Sequence, residues 1–217
     1  MNKSDDQIDN FDGQFRYLSQ LLYQSDSSDS FFLFQQNPQL FSTYHQLYQK
    51  QQKKWRVDPL ILLLKFIIKN KRYFTNKLCL DLGCGEAKLA QFLSIGDSQQ
   101  FKIFKSIHSY DFVSTNKFVK EQNINKLPEK NNSVGLAVFS LSLMGRDWPV
   151  FVGEAVRVLE IGGCLFVFEV LTRFRNKFAF VKKLKKLGLR KVMGHNFGDY
   201  FCLLIFQKVE TVKIDSK

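Results

Sequence analysis

The chain has 217 residues, 45% of them hydrophobic and 15% aromatic, a composition for one α/β domain with a real core and not for a disordered chain. Its formal charge is +12 and is unevenly spread. Residues 1–49 sum to −4, with Lys3 and Arg16 against Asp5, Asp6, Asp9, Asp12, Asp26 and Asp29, which leaves +16 on the rest. An excess of that size fits either a polyanionic partner or a solvated basic surface. The longest apolar stretch, Leu60 to Ile68, contains Lys65 and is far too short to cross a bilayer, so no membrane role is expected. The acidic, polar N-terminus does not read as a secretory signal. Cys79, Cys84, Cys164 and Cys202 are far apart with no CxxC pair, so neither a disulfide framework nor a metal site is expected, and a reducing compartment is the better guess.

In chain order, residues 1–13 read as a polar acidic tail. Residues 14–24 carry apolar positions at helical spacing, and Ser25–Ser30 is a loop with N-cap residues. Residues 31–53 read as helix interrupted near Pro38, Trp55–Pro59 as a bend, and Leu60–Lys69 as a helix. A strand, Leu78–Leu80, then runs into Asp81, two glycines and a helix over Glu86–Leu93. Strands follow at Ile107–Tyr110, ending at Asp111, and at Val134–Leu143. Asp147–Leu159 is an amphipathic helix with Gly162-Gly163 as its stop signal, and Cys164–Val170 is a strand. Asn176–Leu187 is a basic helix closed by Gly188. Leu189–Met193 and Tyr200–Lys208 are strands joined by a turn around Gly194–Asp199. The alternation predicts a mostly parallel, doubly wound α/β sheet with an antiparallel C-terminal edge strand. The expected organisation is a tail over 1–13, a helical N-terminal cap over 14–72, a ligand-binding core over 73–210 and a tail over 211–217.

Asp81-x-Gly83-x-Gly85 falls where the first strand feeds a helix. Glycine permits a sharp turn and close approach of a ligand to the backbone. A dinucleotide fingerprint would require a third glycine, and Lys88 stands there instead. S-adenosylmethionine has no phosphate. It offers an ammonium that suits an acidic residue before the turn, Asp81, and ribose hydroxyls that suit one at the end of the next strand, Asp111. The pattern therefore predicts a Rossmann-like methyltransferase with S-adenosylmethionine as cofactor; the plain alternative is a tight strand–helix loop.

The segments DLGCGEAKLAQ (81–91), HSYDFV (108–113), LPEKNNSVGLAVFSLSLMG (127–145) and EAVRVLEIGG (154–163) together resemble the ribosomal RNA-processing protein 8 family, called nucleomethylin in animals. PQLFSTYHQLYQKQQKKW (38–55), FEVLTRF (168–174), KLKKLG (183–188) and FQK (206–208) extend the likeness over roughly residues 14–208, and SLSLMG is its most specific part. The resemblance implies a class I methyltransferase fold and methylation of N1 of an adenine in large-subunit ribosomal RNA. It also implies ribosomal RNA as partner, pre-ribosomal proteins as further partners, and location in the nucleus and nucleolus. By the same resemblance His45, Gly83, Asp111, Asn123, Ile124 and Ser140 contact the cofactor, beside the Asp81 and Gly85 read from the turn. This chain differs from the family's usual pattern by Asn at 123 and Gly at 135 in place of Asp, and Ser at 140 in place of Cys. It also lacks the family's long basic N-terminal extension.

The chain has neither the cysteine motifs for attack on a pyrimidine nor an Asp/Asn-Pro-Pro-aromatic tetrad for exocyclic amines. Both absences suit a ring nitrogen as acceptor. Asp147 is a catalytic candidate by position and equally a helix cap. Trp148 reads either as a substrate-facing ring or as a core residue at a helix start. RNA contact is expected from the basic run Arg173, Arg175, Lys177, Lys182, Lys183, Lys185, Lys186, Arg190 and Lys191. A second basic group is Lys50, Lys53, Lys54 and Arg56. Two other readings stay open: a methyltransferase of protein or small molecules, and a non-catalytic RNA-binding protein of the same fold.

Overall fold

A computed structural model describes residues 3–94, 103–174 and 176–211, with side chains from residue 11 onward. Three helices come first: α1 (Lys3–Gln24), α2 (Ser27–Gln36) and α3 (Pro38–Gln52). α1 starts well ahead of the expected residue 14, carrying helix into the stretch read as a tail. The expected interruption near Pro38 falls at Asn37, and Pro38 opens α3, because at the first helical position its missing N–H is no loss and the Asn37 side chain accepts the Leu40 N–H. α4 (Pro59–Lys69) starts the same way, with the Asp58 carboxylate accepting the Leu60 N–H at 2.8 Å, and the short α5 (Lys71–Phe74) leads into the sheet.

The sheet contains β1 (Leu78–Leu82), β2 (Ser106–Asp111), β3 (Val119–Glu121), β4 (Val134–Ser140), β5 (Leu159–Val170), β6 (Leu189–Phe197) and β7 (Phe201–Lys208). Their order is β3-β2-β1-β4-β5-β7-β6. β1 to β5 are parallel, and β7 pairs antiparallel with β5 and with the edge strand β6. The helices α6 (Lys88–Ser94), α7 (Trp148–Val158) and α8 (Lys177–Lys186) complete the crossovers. β4 is buried along nearly its whole length, as a central parallel strand covered on both faces must be. One face packs on α7 and α8 through Phe139, Val152, Val156 and Leu184. The other packs on α4 and α5 through Leu63, Ile67, Phe74 and Phe166. α1 to α3 have a core of their own, Leu18, Phe34, Phe41 and Tyr44, against which Phe112 and Met144 pack from loops at the C-terminal ends of β2 and β4. The helical cap therefore sits over the carboxyl edge of the sheet.

Several boundaries differ from the sequence reading. Gly162-Gly163 does not stop α7: the helix ends at Val158, the chain turns extended at Leu159, and both glycines lie inside β5. β6 continues through Gly194 to Phe197, so the turn is confined to Gly198–Tyr200. β3 is a strand that the sequence reading lacked. Gly135 lies where the β4 register shifts against both neighbours, and a Cβ there would meet the Lys77 Cβ at 2.5 Å. This is the end of β4 remote from its carboxyl edge, so a side chain at 135 bears on strand packing.

Candidate functional site

The sheet order reverses direction of winding between β1 and β4, which is where open α/β sheets bind ligands, beyond the carboxyl ends of the strands. A cavity lies there, roofed by α3. The β1–α6 turn forms its floor, with Gly83 at φ +71° and Gly85 at φ +58°. The N–H groups of Gly83 and Cys84 both donate to Tyr110 O, at 2.8 and 3.1 Å, which pins the turn to β2. A Cβ on Gly83 would overlap that of Ser142, and one on Gly85 would sit 3.0 Å from His45 Cε1. Only glycine lets the turn pass between these neighbours in the left-handed conformation. Across the cavity, Leu141 follows β4 at φ +58°, a conformation that costs a non-glycine residue energy and is concentrated at functional sites.

Seven of the eight expected cofactor residues line this one cavity: His45, Asp81, Gly83, Gly85, Asp111, Ile124 and Ser140. Asn123 does not. Its neighbours Gln122 and Ile124 line the cavity, while the Asn123 Oδ1 accepts the Asn125 N–H at 3.0 Å in the turn that follows β3. Asp111 does more than expected: its two carboxylate oxygens accept the N–H groups of Gly85 (2.6 Å) and Phe112 (2.7 Å), so it also fixes the glycine turn.

Asp81 is buried and, among the described residues, accepts no hydrogen bond. Burial, then the nearby Asp111 charge, lifts its carboxyl from the ordinary 3.8 to about 7. Asp81, Asp111 and Glu86 outnumber the lone lining ammonium, Lys88, among the described residues, so the cavity favours a positively charged ligand. His45 loses basicity through burial, despite the opposing pull of Asp111 and Glu86. Burial also keeps the Cys84 thiol protonated, in keeping with a packing role. Leu60, Leu63, Leu89, Phe112 and Phe151 give the wall an apolar part, and Gln49, Gln52 and Gln122 a polar one. An ammonium and a sulfonium for the acidic floor, ribose hydroxyls for Asp111 and a purine for the apolar wall are the parts of S-adenosylmethionine. The residues present fit that group.

Asp147 does not line the cavity and does not cap α7. Its carboxylate accepts the Ser27 N–H at 2.9 Å and the Ser27 hydroxyl at 2.5 Å, tying the start of α7 to the start of α2. The geometry therefore gives it a structural role. Glu169, at the end of β5, is fully buried. One of its oxygens accepts the Leu143 N–H at 2.8 Å and the other has no partner. Burial raises its carboxyl to about 7 against the pull of that N–H and of Arg173. Glu169 does not line this cavity; Tyr44 and Ser142 do, and nothing local in the sequence marks a lone Tyr or Ser as facing it.

Trp148 belongs to a second cleft beside the first, with Tyr23, Arg173, Phe180 and Lys183. Lys182, Lys183, Lys185 and Lys186 are exposed along α8, whereas Arg173 is half-buried and donates to Gly145 O. Arg175 lies outside the described residues. In the other basic group, Lys54 pairs with Asp12 at 2.9 Å and Lys50 lies over the Phe11 ring, so it is partly neutralised from within the chain. Among the described residues no cluster of His, Cys, Asp and Glu could hold a metal ion, and no helix is long and apolar enough to cross a membrane.

The sheet order, the glycine turn and the acidic cavity define the fold class of S-adenosylmethionine-dependent methyltransferases. A TehB-like methyltransferase of that class from Corynebacterium glutamicum superimposes with a TM-score of 0.59 at 16% identity, over 79% of this chain and all of that one, a likeness of fold. A family described as hypothetical methyltransferase matches residues 2–217. Ribosomal RNA-processing protein 8 of Arabidopsis thaliana is 33% identical over 94% of this chain and 69% of its own length. The 25S rRNA (adenine(645)-N(1))-methyltransferase of Schizosaccharomyces pombe is 35% identical over 93% of this chain and 64% of its own. The chain belongs to the ribosomal RNA-processing protein 8 family of methyltransferases, and it spans about half the length of several curated relatives that it matches.

Proposed function

We propose that the chain is an S-adenosylmethionine-dependent methyltransferase that methylates N1 of an unpaired adenine in large-subunit ribosomal RNA, in the nucleus and at the nucleolus. The observation that carries this reading is the acidic, glycine-floored cavity at the β1/β4 switch point, in a chain 35% identical to a fission-yeast rRNA adenine-N1 methyltransferase. In this reading Asp81 takes the cofactor's ammonium, Asp111 its ribose, and Gly83 and Gly85 let it approach the backbone. Ile124 and Phe112 bound its purine, and His45 and Ser140 close the sides. Bound S-adenosylmethionine supplies an electrophilic methyl group.

Adenine N1 carries a free lone pair, so no residue has to remove a proton before attack. The protein's work is alignment and exclusion of water, the kind of task worth several orders of magnitude in rate. The cap provides the exclusion, through Tyr44 and His45 of α3. N1 lies on the pairing edge, so the target base must be unpaired or flipped. The exposed lysines of α8 supply the charge that holds the strand.

The test is to incubate the purified chain with large-subunit ribosomal RNA and methyl-labelled S-adenosylmethionine, then digest the RNA and identify the labelled nucleoside. Label in 1-methyladenosine, lost in Asp111→Ala, is the expected result. Label in another nucleoside, or in protein, replaces the assigned substrate. No transfer with intact cofactor binding favours the non-catalytic reading.

A further inference from the structure

The second cleft lies between the end of α1, the start of α7, the end of β5 and the face of α8, and encloses about 680 Å³. Its chemistry differs from that of the cofactor cavity. Arg146, Arg173 and Lys183 line it, and among the described residues no Asp or Glu does. Arg146 is committed to Asp26 at 3.1 Å. Arg173 has no ion pair among the described residues. Its guanidinium sits 5.1 Å from the Tyr23 ring centroid and 5.6 Å from that of Trp148. One terminal nitrogen donates to Gly145 O, while Nε is shut off from water without a partner. Lys183 Nζ lies 5.9 Å from the Trp148 ring, and Phe180 backs the indole at 5.4 Å.

The buried Glu169 carboxylate attracts the Arg173 guanidinium without an ion pair, and on the cleft side that guanidinium has no anionic partner among the described residues. An anion in the cleft meets the guanidinium where it lines the wall, and Lys183 adds a second positive charge beside it. Aromatic faces next to paired cations are the features that grip unpaired nucleic acid, by stacking a base while holding its phosphate. Lys182, Lys185 and Lys186 carry the positive face outward from the cleft along α8. The loop from Ser140 to Gly145 separates the two pockets: Ser140, Ser142 and Met144 line the first, and Arg146 lines the second.

We propose that the cleft of Tyr23, Trp148, Arg173 and Lys183 seats the nucleotide adjoining the target base, its phosphodiester on Arg173 and Lys183 and its base against the Trp148 indole. The proposal rests on the reading of the chain as an RNA methyltransferase. It assigns a place where the strand is held before the base beside it enters the cofactor cavity. A duplex does not fit this grip, because its bases are stacked on one another.

The chain has two tryptophans, so Trp55→Phe leaves Trp148 as the sole indole reporter. The full chain with that change would be titrated with a short single-stranded oligoadenylate, with the same strand in a duplex, and with adenosine monophosphate. Indole fluorescence and the anisotropy of end-labelled RNA would be read together. The expected result is saturable quenching of Trp148 by the single strand, at far lower concentrations than by the duplex or the mononucleotide. Lys183→Glu, at an exposed position, is expected to weaken single-strand binding by about ten-fold and to leave cofactor affinity unchanged. RNA binding by anisotropy without any response of Trp148 or effect of Lys183→Glu would overturn the cleft and leave the RNA reading standing. Quenching by adenosine monophosphate as strong as by the strand would make the cleft a free-nucleotide site and overturn its role in holding RNA. No binding by anisotropy at all would remove both.

Discussion

Asp81 carries the clearest electrostatic signature of the cavity. Its folded pKa of about 7 lies above the ordinary 3.8, so between these values the folded state holds a proton that the unfolded chain has released. Stability of the ligand-free protein therefore falls as pH rises from about 4 to about 7, and Glu169, also lifted to about 7, adds to the same slope. Urea unfolding across that range is expected to show the decline, and Asp81→Asn to flatten part of it; a stability that rises steadily over the window would contradict the assignment. Gly83 makes a complementary point about backbone. Gly83→Ala forces an L side chain into φ +71° against Ser142 and is expected to cost about 2 kcal/mol or more. Gly153, within α7 and with nothing within 4 Å of its would-be Cβ, is the control: Gly153→Ala is expected to stabilise by about 0.5–1 kcal/mol.

Among the elements, the end of α7 shows how far a local reading reaches. Lys208, at the end of β7, is buried, and its ammonium donates to Val156 O and Leu159 O at 2.7 Å and to Asn132 Oδ1 at 2.8 Å. A cation on the last carbonyls closes the helix where glycine was expected to do so. Lys208→Met removes three hydrogen bonds and strands two buried carbonyls, so a loss of about 2 kcal/mol in urea unfolding is expected. The stop was illegible because it is supplied by a residue about fifty positions away. β3 escaped for a different reason: Val119-Lys120-Glu121 is too short and too polar to show a period. The strand–turn–helix at 78–94 was legible because an apolar run, an acidic residue and two glycines are contiguous there. His45 is the intermediate case, since a helix pattern places it on α3 but only the family likeness pointed it towards the cofactor side. Asn123, which the likeness also pointed to, is absent from the cavity lining, and its side-chain oxygen accepts the Asn125 N–H.

At the scale of the whole molecule, charge separates into working regions. The acidic cavity floor lies at the carboxyl edge of the sheet, and the lysines of α8 lead from the Trp148 cleft away from that edge towards the start of β6. Reversing Lys182, Lys183, Lys185 and Lys186 to Glu is expected to weaken single-stranded RNA binding. It should also reduce the slope of log affinity against log salt by about 0.7 for each phosphate that the variant no longer neutralises. Filter binding over a salt series measures both, and an unchanged slope would place the RNA elsewhere.

The central claim is that the cavity at the β1/β4 switch point holds S-adenosylmethionine by its ammonium on Asp81. Calorimetric titration of the cofactor at about pH 5.5 and about pH 7 tests it most directly, where the ligand's own α-ammonium, near 8, stays mostly protonated. The account predicts binding of one cofactor per chain, tighter at the higher pH and accompanied by proton release. In Asp81→Asn, both the affinity and its pH dependence should disappear. No binding to the unaltered chain, or full affinity in the variant, would contradict it.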